Sequence, residues 1–319
     1  MKSRWIPARA RFAGFGRNDG SPVASYRAIG VAMAIVGVVC FSLRPILIKL
    51  AYGIVVDPIT LLALRMIFSL PFFLAAAAWV GREGGRAPIG RRDAWSIVLL
   101  GFVGYYFASF ADFLGLQYIS SGLGRLILFI YPTLVVILSL AFLNKRPTAR
   151  EVVALGVTYS GIALVMSNAV GGANANLALG AALCFASAAG YAVYLVASSQ
   201  VVQRVGSVRF TAYAMSVASG FCILQFVLLR PLSALHMPGE VYVLAVTMAV
   251  FSTVLPVFIT SEALKRIGAN HVALYGALGP ATTIFFGWLG LDEIMTPVQL
   301  AGAALVLGGV LLVTFKAAR

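Results

Sequence analysis

The segment LGLQYISSGLGRLILFIYPTLVVILSLAFLNKRPT, residues 114–148, returns in altered form as EALKRIGANHVALYGALGPATTIFFGWLGLDEIMT, residues 262–296. At an offset of 148 the two align without a gap. Leu116 meets Leu264, Ile119 meets Ile267, Leu126 meets Leu274, Pro132 meets Pro280, Leu143 meets Leu291 and Thr148 meets Thr296. The register runs on through Gly161 with Gly309 and Val165 with Val313. Leucines and valines coincide by chance in any apolar sequence. Two mid-segment prolines and a glycine held in one register are a stronger sign that the chain contains two copies of one unit.

The unit is a membrane one. Of 319 residues, 61% are hydrophobic and only 11% charged, far from the balance of soluble domains. Apolar stretches long enough to cross a bilayer fall at 28–50, 58–79, 94–117, 121–143, 148–167, 177–198, 209–230, 240–264, 270–291 and 297–316. No stretch alternates as a barrel strand would, and backbone in hydrocarbon must satisfy its own hydrogen bonds. The expectation is an all-α integral membrane protein of ten transmembrane helices.

Positive charge falls in every second linker. The basic tail, residues 1–27, carries Lys2, Arg4, Arg9, Arg11, Arg17 and Arg27. The even linkers carry Arg82, Arg86, Arg91 and Arg92, then Lys145, Arg146 and Arg150, then Arg204 and Arg209, then Lys265 and Arg266. Lys316 and Arg319 close the chain, while the odd linkers show Asp57, Glu240, Asp292 and Glu293, with Arg230 the exception. By the positive-inside rule this predicts a multi-pass protein of the cell (inner or plasma) membrane with both termini cytoplasmic. The formal charge of +14 then serves orientation and contact with anionic lipid, and nucleic acid is not an expected partner. Cys40, Cys184 and Cys222 all lie in apolar segments and read as small buried hydrophobes.

Each copy holds five spans, an odd number, so the second enters the membrane from the opposite side. The units are 28–167 and 177–316, and Lys145 on the inside corresponds to Glu293 on the outside. Inverted repeats of this kind build secondary transporters.

At this point the sequence resembles the EamA-like transporters of the drug/metabolite transporter superfamily, ten-helix type. The resemblance rests on residues 114–148 and 264–312, each a helix with a central proline, a polar turn and a Gly/Ala-rich closing helix. The second copy keeps Asp292, Glu293 and Thr296, whereas the first places Asn144 and Lys145 where an acidic residue is usual. The resemblance implies transport of a small metabolite and leaves cargo and direction open.

Ionisable side chains inside hydrocarbon mark the candidate site, because each costs several kcal/mol unless paired or hydrated. Arg44, Arg65, Asp112 and Arg125 are such residues. Counting about 1.5 Å per residue places them about 6–10 Å from the outer ends of the first four spans, at one level. Pro132 and Pro280 sit near the middle of their spans, where each frees the carbonyl four residues back, Leu128 and Gly276. Tyr131 adjoins the first of these kinks. At the offset of 148, Arg44 faces Ala192, Arg65 faces Tyr213, Asp112 faces Thr260 and Arg125 faces Ala273. The fold repeats and the charges do not, as a binding site would require. One carboxylate neutralises at most one arginine, so a carboxylate or phosphate on the cargo would complement the surplus.

These features predict a secondary transporter, an exporter of an amino acid or other small carboxylate, working by alternating access. Arg44, Arg65, Asp112, Arg125 and Tyr131 are its substrate-binding candidates. A non-transporting membrane protein or an intramembrane enzyme is the alternative. The sequence has no HExxH, no G-x-S-x-G and no nucleotide-binding loop, so no catalytic residue, cofactor or metal is expected. The expected partners are a small-molecule solute and the lipid bilayer. A monomer supplies both halves, with a homodimer also allowed. Small residues at Gly156 and Ser160, Ser187 and Gly190, and Ala304 and Gly308 are the expected points of close helix contact. Glu262 is placed to pair with Lys265 or Arg266 on its own helix.

Overall fold

The structure, a computed structural model, describes residues 22–314 apart from 55, 83–88, 132, 136, 139–148, 171–175 and 277. Pro132 and the Asn144–Lys145 turn therefore lie outside the described residues. Everything regular among the described residues is helical. Among the described residues six helices are long and apolar enough to cross a membrane: Tyr26–Gly53, Pro58–Gly81, Arg91–Gly115, Leu177–Ser198, Ser207–Leu229 and Gly239–Thr260. Shorter apolar helices cover Ser121–Val135, Leu278–Leu291 and Pro297–Gly309. Leucines, valines and tryptophans such as Trp79, Trp95, Leu228 and Val243 point outward from the bundle. In water such a surface would be a liability, and against lipid it needs no cover.

Where continuous spans were expected, several helices are broken. The first span is two pieces, α1 (Pro22–Ser42) and α2 (Arg44–Gly53), hinged at Leu43. Pro45, in the first turn of α2, has no N–H for the carbonyl of Phe41, so the helix stops and restarts. After α3 (Pro58–Arg82), the third span runs as α4 (Arg91–Gly101), a π-helical turn over Phe102–Phe107, and α5 (Ala108–Gly115). The helix α6 (Ser121–Leu128) opens the fourth span and ends at Leu128, the residue whose partner Pro132 removes. Then come α7 (Ala149–Val170), α8 (Leu177–Val205) and α9 (Ser207–Leu229).

A second π-helical turn, Val250–Val254, joins α10 (Gly239–Ala249) to α11 (Leu255–Gly276). The two π-turns begin at Phe102 and Val250, 148 residues apart, so the repeat extends to this irregularity. In the second copy the hydroxyls of Ser252 and Thr253 donate to the carbonyl of Met248 at 2.9 and 3.0 Å, and Pro256 follows. In the first, Ser187 donates to the carbonyl of Ala108 at 2.6 Å. The helix α11 runs to Gly276, through residues 265–269, where a linker between separate spans was expected. Lysine and arginine are good helix formers, and Arg266 pairs with Glu262 one turn back at 3.1 Å, so nothing stops the helix there. It ends instead four residues before Pro280. The chain closes with α12 (Leu278–Leu291) and α13 (Pro297–Thr314).

Packing follows the repeat. The helices α3 and α9, and α7 and α13, pack as pairs that join equivalent elements of the two copies, and α6 packs on α12. The helix α1 packs on α11, and the equivalent elements α8 and α5 pack on each other. The closest approaches use other glycines than expected. Gly156 and Gly308 face open space, whereas a Cβ on Gly161 would lie 2.7 Å from the carbonyl oxygen of Gly302. The contact ridge of α7 is thus rotated from the Gly156–Ser160 face. Ser187 and Gly190 are at a contact, against Ala108 and Phe107.

Candidate functional site

Arg44 is the first residue of α2, so the break at Leu43 sets its direction. Its Nη2 meets Oδ2 of Asp112, from α5, at 3.1 Å. Asp112 is buried, and 16% of the Arg44 side chain remains exposed. Arg65, from α3, is the largest fully buried side chain of the bundle. Its guanidinium lies 5.0 Å from the centre of the Phe113 ring, next in sequence to Asp112. The attraction of a cation to a ring face partly offsets the missing water. Tyr52 donates to the carbonyl of Phe113 at 2.7 Å and ties α2 to the same turn.

Arg125, on α6, is half-buried and lies against the backbone of Gly279: a Cβ there would sit 3.1 Å from its Nη2. The first copy has Tyr131 where the second has Gly279, so the absent side chain leaves the space that Arg125 occupies. Arg65 lies on the ring next in sequence to Asp112, and Arg125 lies against Gly279, whose carbonyl meets Ser42 two residues before Arg44. The four ionisable residues expected at one level are therefore gathered in one cluster. Arg44, Arg125 and Tyr131 keep exposed surface in it, while Arg65 is sealed beneath Phe113. The Nε atoms of Arg44, Arg65 and Arg125 are buried with no acceptor among the described residues.

Tyrosines line one side. Tyr131 meets the edge of Tyr191 at 5.0 Å between ring centres, Tyr191 stacks on Tyr194, and the hydroxyls of Tyr194 and Tyr105 are 2.9 Å apart. Pro280 is buried, one residue beyond Gly279. The sequence reading missed Ser42, whose hydroxyl lies 3.1 Å from the Gly279 carbonyl and whose own carbonyl accepts from Thr283 at 3.3 Å. These contacts pin the hinge in the first span to α12. Pro45 was the signal that could have found it.

Other charges are committed away from the cluster. Asp57 caps α3 through the N–H groups of Ile59 and Thr60 at 3.0 and 3.3 Å, and binds Arg230 at 3.1 Å. Arg230, the exception in the charge pattern, is thus partnered. Glu293 accepts from the Ser121 N–H at 2.9 Å and from its hydroxyl at 2.6 Å, at the start of α6. Among the described residues no three His, Cys, Asp or Glu side chains gather as a metal ion would need.

The model of the EamA-like transporter family matches residues 28–167 and again 178–315. The chain belongs to the EamA-like transporter family. It is accordingly a multi-pass membrane transporter and not an enzyme. It is 30% identical to the uncharacterised transporter YcbK of Bacillus subtilis (strain 168), over 90% of this chain and 91% of that one. It is 28% identical to a probable terminal-alkyne amino-acid exporter of Streptantibioticus cattleyicolor, over 75% of this chain and 79% of that one. A protein of known crystal structure shares the fold at 19% identity, with a TM-score of 0.61 over 92% of this chain and 99% of its own.

Proposed function

We propose that this EamA-like protein is a secondary transporter that exports a small organic solute bearing a carboxylate, an amino acid being one example, across the cell membrane. The observation that carries this reading is the Arg44–Asp112 pair at 3.1 Å with Arg65 and Arg125 beside it, inside a bundle facing lipid. A scaffold has no use for three guanidiniums in hydrocarbon, and the second copy does without them. The name of the Streptantibioticus relative lends support, since an amino acid carries a carboxylate.

In this account Arg44 and Arg125 grip the acid group, each offering a planar fork of donors. Asp112 holds Arg44 in place from behind, and Tyr131 closes the site against Tyr191. The units 28–167 and 177–316 are inverted copies of five helices, ten in all, with both termini cytoplasmic. Rocking of one unit against the other opens the cluster to each side in turn. In this reading the carbonyls that lack a partner because of Pro132 and Pro280, those of Leu128 and Gly276, serve the moving surfaces.

The test is transport in proteoliposomes loaded with a metabolite mixture, read by mass spectrometry. The expected result is movement of a carboxylate-bearing solute that disappears in a folded Arg125→Gln variant. Selective movement of cations or neutral solutes would contradict the reading.

A further inference from the structure

The charge of the arginine cluster does not balance. Beside Arg44, Arg65 and Arg125 the cluster holds one carboxylate, Asp112, and it is already paired with Arg44. Guanidinium groups stay protonated at any cellular pH, so the surplus is two positive charges with Asp112 ionised and three with it neutral. Carboxylates elsewhere in the bundle are engaged with other partners: Asp57 with Arg230, Glu293 with Ser121 and Glu262 with Arg266. Three buried Nε donors find no acceptor among the described residues. A buried donor and a buried charge both call for an anionic acceptor.

We propose that the site is built for a small dianion, a solute with two carboxylates or one phosphate monoester. This rests on the cluster being the cargo site. A monocarboxylate leaves one positive charge uncompensated where the dielectric is low. A zwitterion fits worse, because its ammonium meets the surplus while the one carboxylate, Asp112, is engaged with Arg44. A dianion cancels the surplus, with Arg44 and Arg125 in contact. Arg65, sealed beneath Phe113, contributes by its field alone.

The test compares four small probes on the purified full-length protein: succinate, methyl phosphate, propionate and alanine. Protection against thermal unfolding gives apparent affinity, and counterflow in proteoliposomes gives transport. At a pH where methyl phosphate is doubly ionised, one or both dianions are expected to act at concentrations at least about tenfold below the other two probes. The better of the two dianions tells carboxylate from phosphate. Arg65→Gln is expected to weaken propionate about tenfold and the dianions about a hundredfold, with alanine least affected, which erases about tenfold of that preference, and Arg65→Lys is expected to retain it. A purely structural Arg65 would weaken all four probes alike. Propionate or alanine matching the dianions, with Arg125 still required, overturns the dianion and leaves carboxylate transport standing. Failure of all four to protect or exchange overturns the dianion assignment and the cargo site with it.

Discussion

Asp112 is the residue on which the cluster turns, because its removal leaves the half-buried Arg44 without a counter-charge. Breaking a buried pair from one side costs about 3–5 kcal/mol, whereas removing both charges is far milder. Asp112→Asn is therefore expected to lower thermal stability strongly. The double variant with Arg44→Gln is expected to recover most of the loss. A double-mutant cycle on purified protein measures this directly, and additive losses would refute the coupling. The ionisable residues themselves were legible in the sequence, since charges in hydrocarbon stand out. The expectation of a common level came from the rise of a helix. Azimuth was not legible: nothing in the spacing tells which arginine meets Asp112, or that Arg65 slides under Phe113 while Arg125 rests on Gly279. Those choices depend on how the helices rotate against each other.

At the scale of elements, the account turns on how irregular helices are held. Glu293 joins the turn after α12 to the start of α6, and Gly287 lets them approach. A Cβ on Gly287 would lie 2.9 Å from the Ser121 hydroxyl and 3.1 Å from a Glu293 oxygen. Gly287→Ala is expected to force this clamp apart and destabilise by about 1–3 kcal/mol. Glu293→Gln is expected to weaken it in the same direction, through the lost charge at the helix start. Thermal unfolding of the two variants checks both, and unchanged stability in each would remove the clamp from the account. The helix ends at Leu128 and Gly276 were readable from the prolines that follow. The hinge at Leu43 was equally readable from Pro45. The π-turns were not, because they arise from one extra residue per turn accommodated against α8, α9 and α1, with no local sequence mark. Small residues at helix-contact spacing likewise proved ambiguous: Gly161 makes the close approach, and Gly156, five residues earlier, does not.

For the whole molecule, the pairing of elements follows the two copies throughout, and the charge pattern fixes how they are expected to lie in the membrane. Leu232 and Arg92 are exposed residues on opposite sides of that topology. Leu232→Cys is expected to react with an impermeant maleimide on intact cells, and Arg92→Cys only after permeabilisation. Labelling of both from the same side would sink the inverted arrangement. The architecture was legible because register and charge alternation are properties of the entire chain. Cargo was not, because the site proposed for it, three arginines and one aspartate, is not dictated by the repeat. The most direct test of the central claim is counterflow of a carboxylate-bearing solute in proteoliposomes holding wild type or Arg125→Gln, matched for thermal stability. Loss of affinity by about 2–5 kcal/mol, measured from the concentration dependence of uptake, is the result predicted for a cargo-binding arginine. Uptake of the same solute with unchanged affinity by the folded variant would contradict it.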